Sequence, residues 1–488
     1  MNTKQLRQKI LDLAIRGKLV PQDPNDEPAS VLLERIQAEK EKLIKEGKIK
    51  RNKKEASVFV GDDKLHYEQL PDGWELIQLG DVIELFSGQD LTPDRYNDMG
   101  VGIPYITGAS CLENNRVIIN RWTDRPQVHS CDGDLLLTVK GAGVGKMAIS
   151  HLADAHIARQ IMAIRAYCGI DNRFIGFVLS AELSALTSQA NGLIPGIRRE
   201  IILTHEIALP PLAEQRRIVA AIESAFAVID EIERNKTDLQ AAVAAAKSKI
   251  LDLAIRGKLV PQDPDDESAG VLLERIQEKK ERLEKEGAIK RTKSLSPILD
   301  DELPFHIPKR WKWSRLGNIA FYKKGPFGSS ITKSMFVPDS ETVIKVYEQK
   351  NAIGKDHTLG TYYINSEKFN ELQGFEVFPN DIIVSCAGTI GEAYVMPVSM
   401  RKGIINQALM RVMLYEIGMT DFYLLYFDFM LKNTAQDDSK GTAMKNIPPF
   451  DILKQYLIPI PPLAEQQRIV SAIEAAFKQL DRIAGILI

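Results

Sequence analysis

Cysteine, histidine and tryptophan are scarce, at four, seven and four in 488 residues. Cys111, Cys131, Cys168 and Cys386 make no CxxC pair, and the histidines fall into no HxH or HxxxH arrangement. That spacing excludes a disulfide framework and a zinc-ribbon pattern, so buried thiols in a reducing compartment and no structural metal are expected. Long apolar runs are also missing. None reaches the length of a membrane span, and Met1–Ile10 is too polar for a secretory signal, which predicts a cytoplasmic protein. An excess of either charge is absent too, the formal net charge being −2. A nucleic-acid surface would therefore be a local basic patch on a neutral body. Residues 60–206 hold 12 Lys and Arg against 19 Asp and Glu, yet 140–205 hold 7 against 4, and residues 307–458 hold 18 against 15.

What the chain does have is repetition. Residues 9–51 and 249–291 share 35 identities in 43 positions, both beginning KILDLAIRGKLVPQDP. LPPLAEQRRIVAAIESAF (209–226) returns as IPPLAEQQRIVSAIEAAF (460–477). Each half thus runs from the first element through a variable stretch to the second. The central copy of the second element passes into the first without a linker. The chain ends at the equivalent of position 237 and begins at the equivalent of 241. This predicts a closed pseudo-twofold ring with Met1 near Ile488. A plain tandem duplication with its ends apart is the alternative.

Between 212 and 254 a heptad runs through Ile222, Ile229, Lys236, Val243 and Ile250, with Ala225, Ile232, Leu239, Ala246 and Leu253 at the second seam position. Nine of these ten are apolar, with no proline or glycine between, as a coiled-coil seam requires. Pro210 and Pro211 precede the helix, and Gly257 follows it. The C-terminal copy offers Ile473, Ala476, Leu480, Ile483 and Leu487; the N-terminus adds Leu6, Ile10 and Leu13. Some 40 helical residues make a rod of roughly 60 Å, and two such rods about a pseudo-twofold run antiparallel. After Arg-Gly-Lys-Leu-Val-Pro-Gln, each first element turns into a second, charged helix. Pro28 suits its first turn, Leu32, Ile36 and Leu43 form its buried stripe, and Gly47 is its stop. These charged helices (34–50, 274–291) read as solvated faces or as contacts to a nucleic-acid backbone.

The variable stretches are diverged copies of one domain. Leu70-Pro-Asp-Gly-Trp74 and Leu79-Gly-Asp match Ile307-Pro-Lys-Arg-Trp311 and Leu316-Gly-Asn. Asp134-Leu-Leu-Leu-Thr leading to Val144-Gly-Lys matches Asp381-Ile-Ile-Val-Ser leading to Ile390-Gly-Glu. Arg159-Gln160 aligns with Asn406-Gln407 before a second apolar run. The fold class is α/β: two α/β recognition domains separated by two long antiparallel coiled-coil helices in a circular arrangement. The expected segments are 1–51, 52–206, 207–291, 292–458 and 459–488. A conserved scaffold carrying two diverged domains suits recognition of two different targets at a fixed separation.

Two motifs imitate enzymes. Lys140-Gly-Ala-Gly-Val-Gly-Lys146 resembles a phosphate-binding loop, but Lys140 replaces its first glycine and Met147 the hydroxyl residue that ligates magnesium. A structural turn or a DNA-facing turn is the better reading. Asn446-Ile-Pro-Pro-Phe450 is similar to the adenine-methyltransferase Asn-Pro-Pro-Phe, but Ile447 breaks it and no S-adenosylmethionine glycine loop accompanies it. No catalytic residue and no metal ligand is assigned.

The half-repeats, Pro-Pro-Leu-Ala-Glu-Gln-x-Arg-Ile at 210–218 and 461–469, and Gly-Lys-Leu-Val-Pro-Gln at 17–22 and 257–262, resemble the specificity subunit of type I restriction–modification systems across essentially the whole chain. The resemblance implies a non-catalytic, DNA-binding subunit whose two domains each read one part of a split double-stranded site. Its helices would set the gap and dock two modification (methyltransferase) subunits, to which restriction subunits add. S-adenosylmethionine, ATP and magnesium belong to those partners, so this chain needs no cofactor. Candidate DNA contacts are Lys140, Lys146, Arg159, Arg198 and Arg199 in the first domain and Lys323, Lys324, Ser329, Ser330, Lys440 and Lys445 in the second. All lie in polar or glycine-bearing segments. Docking is placed at Glu214, Gln215, Ile218, Glu465, Gln466 and Ile469. The alternatives are a self-contained methyltransferase and a coiled-coil interaction protein without DNA.

Overall fold

The computed structural model describes residues 2–49, 70–113, 115–141, 143–188, 196–291, 294–437 and 447–485. Lys440, Lys445, Asn446, Met1 and Ile488 lie outside these, and with them the expected meeting of the chain ends. The chain divides into two compact units, Met1–Thr237 and Asp238–Ile488. The division falls inside one unbroken helix, Leu212–Ile255.

That helix is the expected rod. Ile222, Ile229 and Val243 are buried and Lys236 and Ile250 half-buried, so the first seam position faces inward at each heptad. At the second seam position Ala225, Leu239, Ala246 and Leu253 are half-buried, whereas Ile232 is exposed. In place of a second long rod there is one shorter helix in each unit, Thr3–Ile15 and Leu463–Gly485. Each runs antiparallel to its own half of the long helix, and matching contacts hold both pairs. In the first unit Arg7 binds Asp230 (2.5 Å) and lies over the Phe226 ring (5.0 Å). In the second, Lys247 binds Asp481 (2.6 Å) and lies over Phe477 (5.1 Å). A cation on an aromatic face beside a carboxylate fixes axial register as well as adding attraction.

The charged second helices are Ala29–Lys45 and Ala269–Lys285. Pro28 occupies the N-cap position of the first without a side-chain capping bond, Leu32 and Ile36 are buried under it, and Gly47 ends it at φ +70°.

Each α/β domain contains two four-stranded sheets in the same order. In the first domain, Ile83–Ser87, Ile161–Ala166, Leu135–Thr138 and Met147–Ile149 form an antiparallel sheet. Trp122–Thr123, Ile103–Ile106, Asp154–Ile157 and His129–Cys131 form a mixed one, with Ile103–Ile106 and Asp154–Ile157 parallel. The second domain repeats both. Ala320–Lys324, Leu409–Leu414, Ile382–Ser385 and Ala393–Val395 are antiparallel. Tyr363–Ile364, Ile344–Tyr347, Gly403–Ile405 and Glu376–Val377 are mixed, with the same parallel pair. Strands such as Leu135–Thr138 and Ile382–Ser385 are buried on both faces, which is why they read as continuous apolar runs.

A two-stranded ribbon closes each domain: Glu75–Gln78 with Glu206–Leu209, and Lys312–Arg315 with Leu457–Ile460. It returns the exit of the domain to its entrance, beside the helices. There the three repeated motifs meet on one carboxylate. Glu214 Oε2 accepts from the Trp74 indole N–H (3.0 Å), and Oε1 accepts from the Gln22 amide (3.1 Å). Glu465 takes Trp311 (2.9 Å) and Gln262 (2.5 Å) in the same way. Burial pushes the Glu465 carboxyl up, and the hydrogen bonds from Trp311 and Gln262 pull it back. Beside them, Gln215 and Gln466 donate to the carbonyls of Pro210 and Pro461 (2.9 Å each), and Arg217 and Arg468 bind Asp26 and Asp266 (2.6 Å each). Gly17 and Gly257 stand at φ +62° and +65°, where a Cβ would come within 2.5 and 2.4 Å of Pro71 and Pro308.

This overturns the docking assignment. Glu214, Gln215, Ile218, Glu465, Gln466 and Ile469 are all buried within the chain. Both carboxylates and both glutamine N–H groups bond within this chain, the Gln215 and Gln466 Oε1 atoms are buried without a partner, and the isoleucines lie in the core, so none of the six side chains is exposed to a partner.

Replacing Glu465 by Ala leaves the buried Trp311 N–H without its acceptor and is expected to cost about 1–3 kcal/mol. Glu465→Gln, which keeps an acceptor oxygen, is expected to cost less. Urea unfolding of both variants measures the difference, and equal losses would contradict the assigned role of the carboxylate.

Candidate nucleic-acid interface

At one edge of the first domain, loops from both sheets converge. The Gly88 N–H donates to the Ile161 carbonyl (3.0 Å) and the Gln89 N–H to Ile157 (2.9 Å). Val139 donates to Gln160 (2.8 Å), Ile197 to Val139 (2.8 Å) and Ala158 to Ile106 (2.9 Å). These bonds hold five segments side by side, 88–90, 107–111, 139–146, 158–160 and 196–199. The Gly88 position is forced: a Cβ there would lie 2.1 Å from the Ala158 carbonyl oxygen.

Four of the five nominated side chains gather here and are exposed: Lys140, Lys146, Arg159 and Arg198. Lys140 pairs across to Gly196, and the Lys146 ammonium reaches the Ala109 carbonyl (3.4 Å). Arg159 forms a surface pair with Asp90, Nε to Oδ2 at 2.8 Å. The fifth, Arg199, is a correction. It turns inward and donates to the Leu85 carbonyl, tying the closing segment to the sheet. The Lys140–Lys146 segment joins two antiparallel strands, with Leu137 opposite Met147. A phosphate-binding loop opens a helix instead, so the imitation ends at the glycines.

The second domain builds the same edge. Gly325 donates to Leu409 (3.0 Å), Asn406 to Tyr347 (3.0 Å) and Cys386 to Ala408 (2.8 Å). A Cβ on Gly325 would lie 1.8 Å from the Asn406 oxygen. Lys324 and Ser329 are exposed on this edge and Ser330 is half-buried. Lys323 is a further correction. Adjacent strand residues point to opposite faces, and its ammonium lies over the Phe375 ring at 4.7 Å. Its side chain is half-buried against that ring, unlike the exposed Lys324, and this burial pulls its pKa down.

The bonds also correct the alignment of the domains by one residue. Ala158 and Asn406 make equivalent bonds, so Arg159 corresponds to Gln407 and not to Asn406. Sequence reasoning missed Asp90, Phe327 and Gln407 as members of the edge. A search confined to cations and serines passes over an acid, a phenyl ring and an amide.

The aspartates that open the central strands serve the interior. Asp134 is held by Arg165 through two bonds of 2.7 Å, and Asp381 by Arg411 at 2.6 Å. Among the described residues no cluster of three or more His, Cys, Asp and Glu side chains could hold a metal ion. No described helix is long and apolar enough to cross a membrane.

The family model described as "Type I restriction modification DNA specificity domain" matches residues 71–240 and 308–487. The specificity subunits of the type I restriction enzymes EcoAI and EcoEI of Escherichia coli are each 29% identical. Those alignments cover 99% and 98% of this chain and 90% of each relative. A chain from a solved structure of a type I R-M system, described for its complex assembly and conformational transition, shares the fold with a TM-score of 0.59. It is 18% identical, over 86% of this chain and 94% of that one.

Proposed function

The chain belongs to the type I restriction–modification DNA specificity family, and from that premise we propose that each α/β domain reads one part of a split duplex sequence with its loop edge. The chain is a recognition component and not itself the enzyme. The observation that carries the reading is the repetition of one edge in both domains, held by equivalent backbone bonds yet furnished with different side chains. A fixed frame with changed contents is what two different readouts at a set separation require. A self-contained methyltransferase has no support in the family match.

In this reading Lys140, Lys146 and Arg198 contact phosphates in the first domain and Lys324, Ser329 and Ser330 approach the backbone in the second. Phosphate contacts set register and orientation, while sequence is read at base edges. Replacing Lys140, Lys146 and Arg198 by Ala is expected to weaken binding to all duplexes alike. It should lower the slope of log affinity against log salt by about one for each phosphate no longer neutralised. Titrations at several salt concentrations measure this, and an unchanged slope would remove these residues from the interface.

The two matching units suit two copies of the same modification subunit. With the motif side chains buried, docking falls to the exposed stripe of the same helices, Ala213, Arg216 and Ala220 and their counterparts Ala464, Gln467 and Ser471. The mass of the co-expressed complex is expected to correspond to two modification subunits for each chain. A single copy would count against the equivalence.

The unbroken helix Leu212–Ile255 acts as a ruler between the readouts. Four residues inserted between Lys236 and Val243 add about 6 Å and about 40° of rotation. Methylation mapping is expected to show a longer unread gap with both half-sites unchanged. Exchange of 52–206 for the domain of another family member is expected to change one half-site and leave the gap. An insertion that altered the bases read at constant gap would defeat the ruler.

A further inference from the structure

The bond pattern aligns the two loop edges residue by residue. Gly88 corresponds to Gly325, so Asp90 corresponds to Phe327; Ala158 corresponds to Asn406, so Arg159 corresponds to Gln407. The segments carrying each pair lie side by side, because the first glycine packs on the carbonyl just before the second position.

In the first domain these two positions hold each other. Asp90 accepts from Arg159 Nε (2.8 Å) and from the Arg159 backbone N–H (3.1 Å). The pair remains open to solvent, with 69% of the arginine side chain exposed. An arginine whose charge is met by a carboxylate is a poor phosphate ligand. It is a good reader of a base edge, because the carboxylate restrains the plane of the fork while the terminal nitrogens still donate.

In the second domain the ion pair is replaced by a phenyl ring and an amide. Phe327 is 87% exposed, the largest exposure among the big apolar side chains of the described residues. The backbone beneath it is fixed. Gly325 beneath it is packed on the Asn406 carbonyl, Pro326 is buried, and the Ser330 N–H closes the turn onto the Phe327 carbonyl (2.8 Å). Gln407 is exposed on the adjoining segment. A ring held out into water, with an exposed amide on the adjoining segment and at the edge that faces DNA in the reading above, is suited to a groove.

Resting on that reading, we propose that these equivalent positions determine specificity in the two half-sites. Arg159, oriented by Asp90, reads a guanine through O6 and N7. Gln407 reads an adenine through N6 and N7 while the Phe327 ring lies on a thymine methyl group. One half-site therefore carries a G·C pair at this position and the other an A·T pair.

The test is selection from duplexes randomised across the site, with the chain assembled with its modification subunits. The wild-type complex selects a split sequence. Arg159→Ala is expected to reduce discrimination at one G·C pair of one half-site by about 5- to 150-fold, the worth of a bidentate base contact. Gln407→Ala and Phe327→Ala do the same at A·T pairs of the other half-site, and Phe327→Leu retains part of the preference. Asp90→Ala frees the guanidinium, so selectivity at that G·C pair falls while the salt slope steepens by about one. All four side chains are exposed, so melting curves are expected to overlay that of the wild type. Variants that keep the full consensus, or that weaken every sequence equally, would overturn the assignment and leave DNA recognition intact. A wild-type complex that selected no split sequence would overturn both.

Discussion

A carboxylate buried between an indole and an amide holds each half of this protein together. Glu214 and Glu465 each accept from a tryptophan at a domain entrance and from a glutamine at the end of the repeated Gly-Lys-Leu-Val-Pro-Gln segment. Each glutamate sits in the first turn of the helix that leaves its domain. Three stretches far apart in the chain are thus bound to one side chain. The energetic weight of the arrangement lies in what its absence would leave, since an unpartnered donor or acceptor in the interior costs more than the bond contributes. Trp74 and Trp311 are also placed by a turn of their own, their N–H groups closing onto Pro71 and Pro308. The spacing from proline to tryptophan is therefore part of the same junction.

From this junction outward the constraint weakens. The helices must preserve an axial register, and the repeated cation, ring and carboxylate at Arg7, Phe226 and Asp230 and at Lys247, Phe477 and Asp481 do so twice. Inside the α/β domains the demands are looser. Asp134 and Asp381 occupy equivalent places, but Arg165 reaches the first from two residues further along its strand than Arg411 does the second. The interior requires the charge to be met and leaves the donor free to move along the face. At the loop edge only the backbone bonds persist. Side chains there are largely exposed and not fixed by packing within the domain, so the two copies can differ in chemistry while keeping the frame.

The legible parts of the sequence were those under short-range or periodic rules. The heptad from Ile222 to Leu253 needed only a period of seven, and the stop at Gly257 only a backbone with φ above zero. The domain frame was legible as matched Pro, Trp and Gly spacings, though not its sheet order, because pairing between strands is decided by partners remote in sequence. The candidate site was half legible. Lys140, Lys146, Arg159 and Arg198 stood out as cations in polar segments, but Lys323 and Arg199 look the same on paper and point elsewhere. Composition records a charge and not its direction.

The sequence by itself determined that the chain is two copies of one plan, that a long helix joins them, and that the domains between the repeats were free to differ. Identity at matched positions and hydrophobic period carry that information without reference to space. Only the tertiary structure decided what the repeated Pro-Pro-Leu-Ala-Glu-Gln is for. Its polar residues suggest a surface, and burial makes them a junction. Only the structure, too, set Asp90 against Phe327 and Arg159 against Gln407. Those equivalences follow from hydrogen bonds between strands distant in the chain, and a one-residue slip in a loop is invisible until the carbonyls it must satisfy are in place.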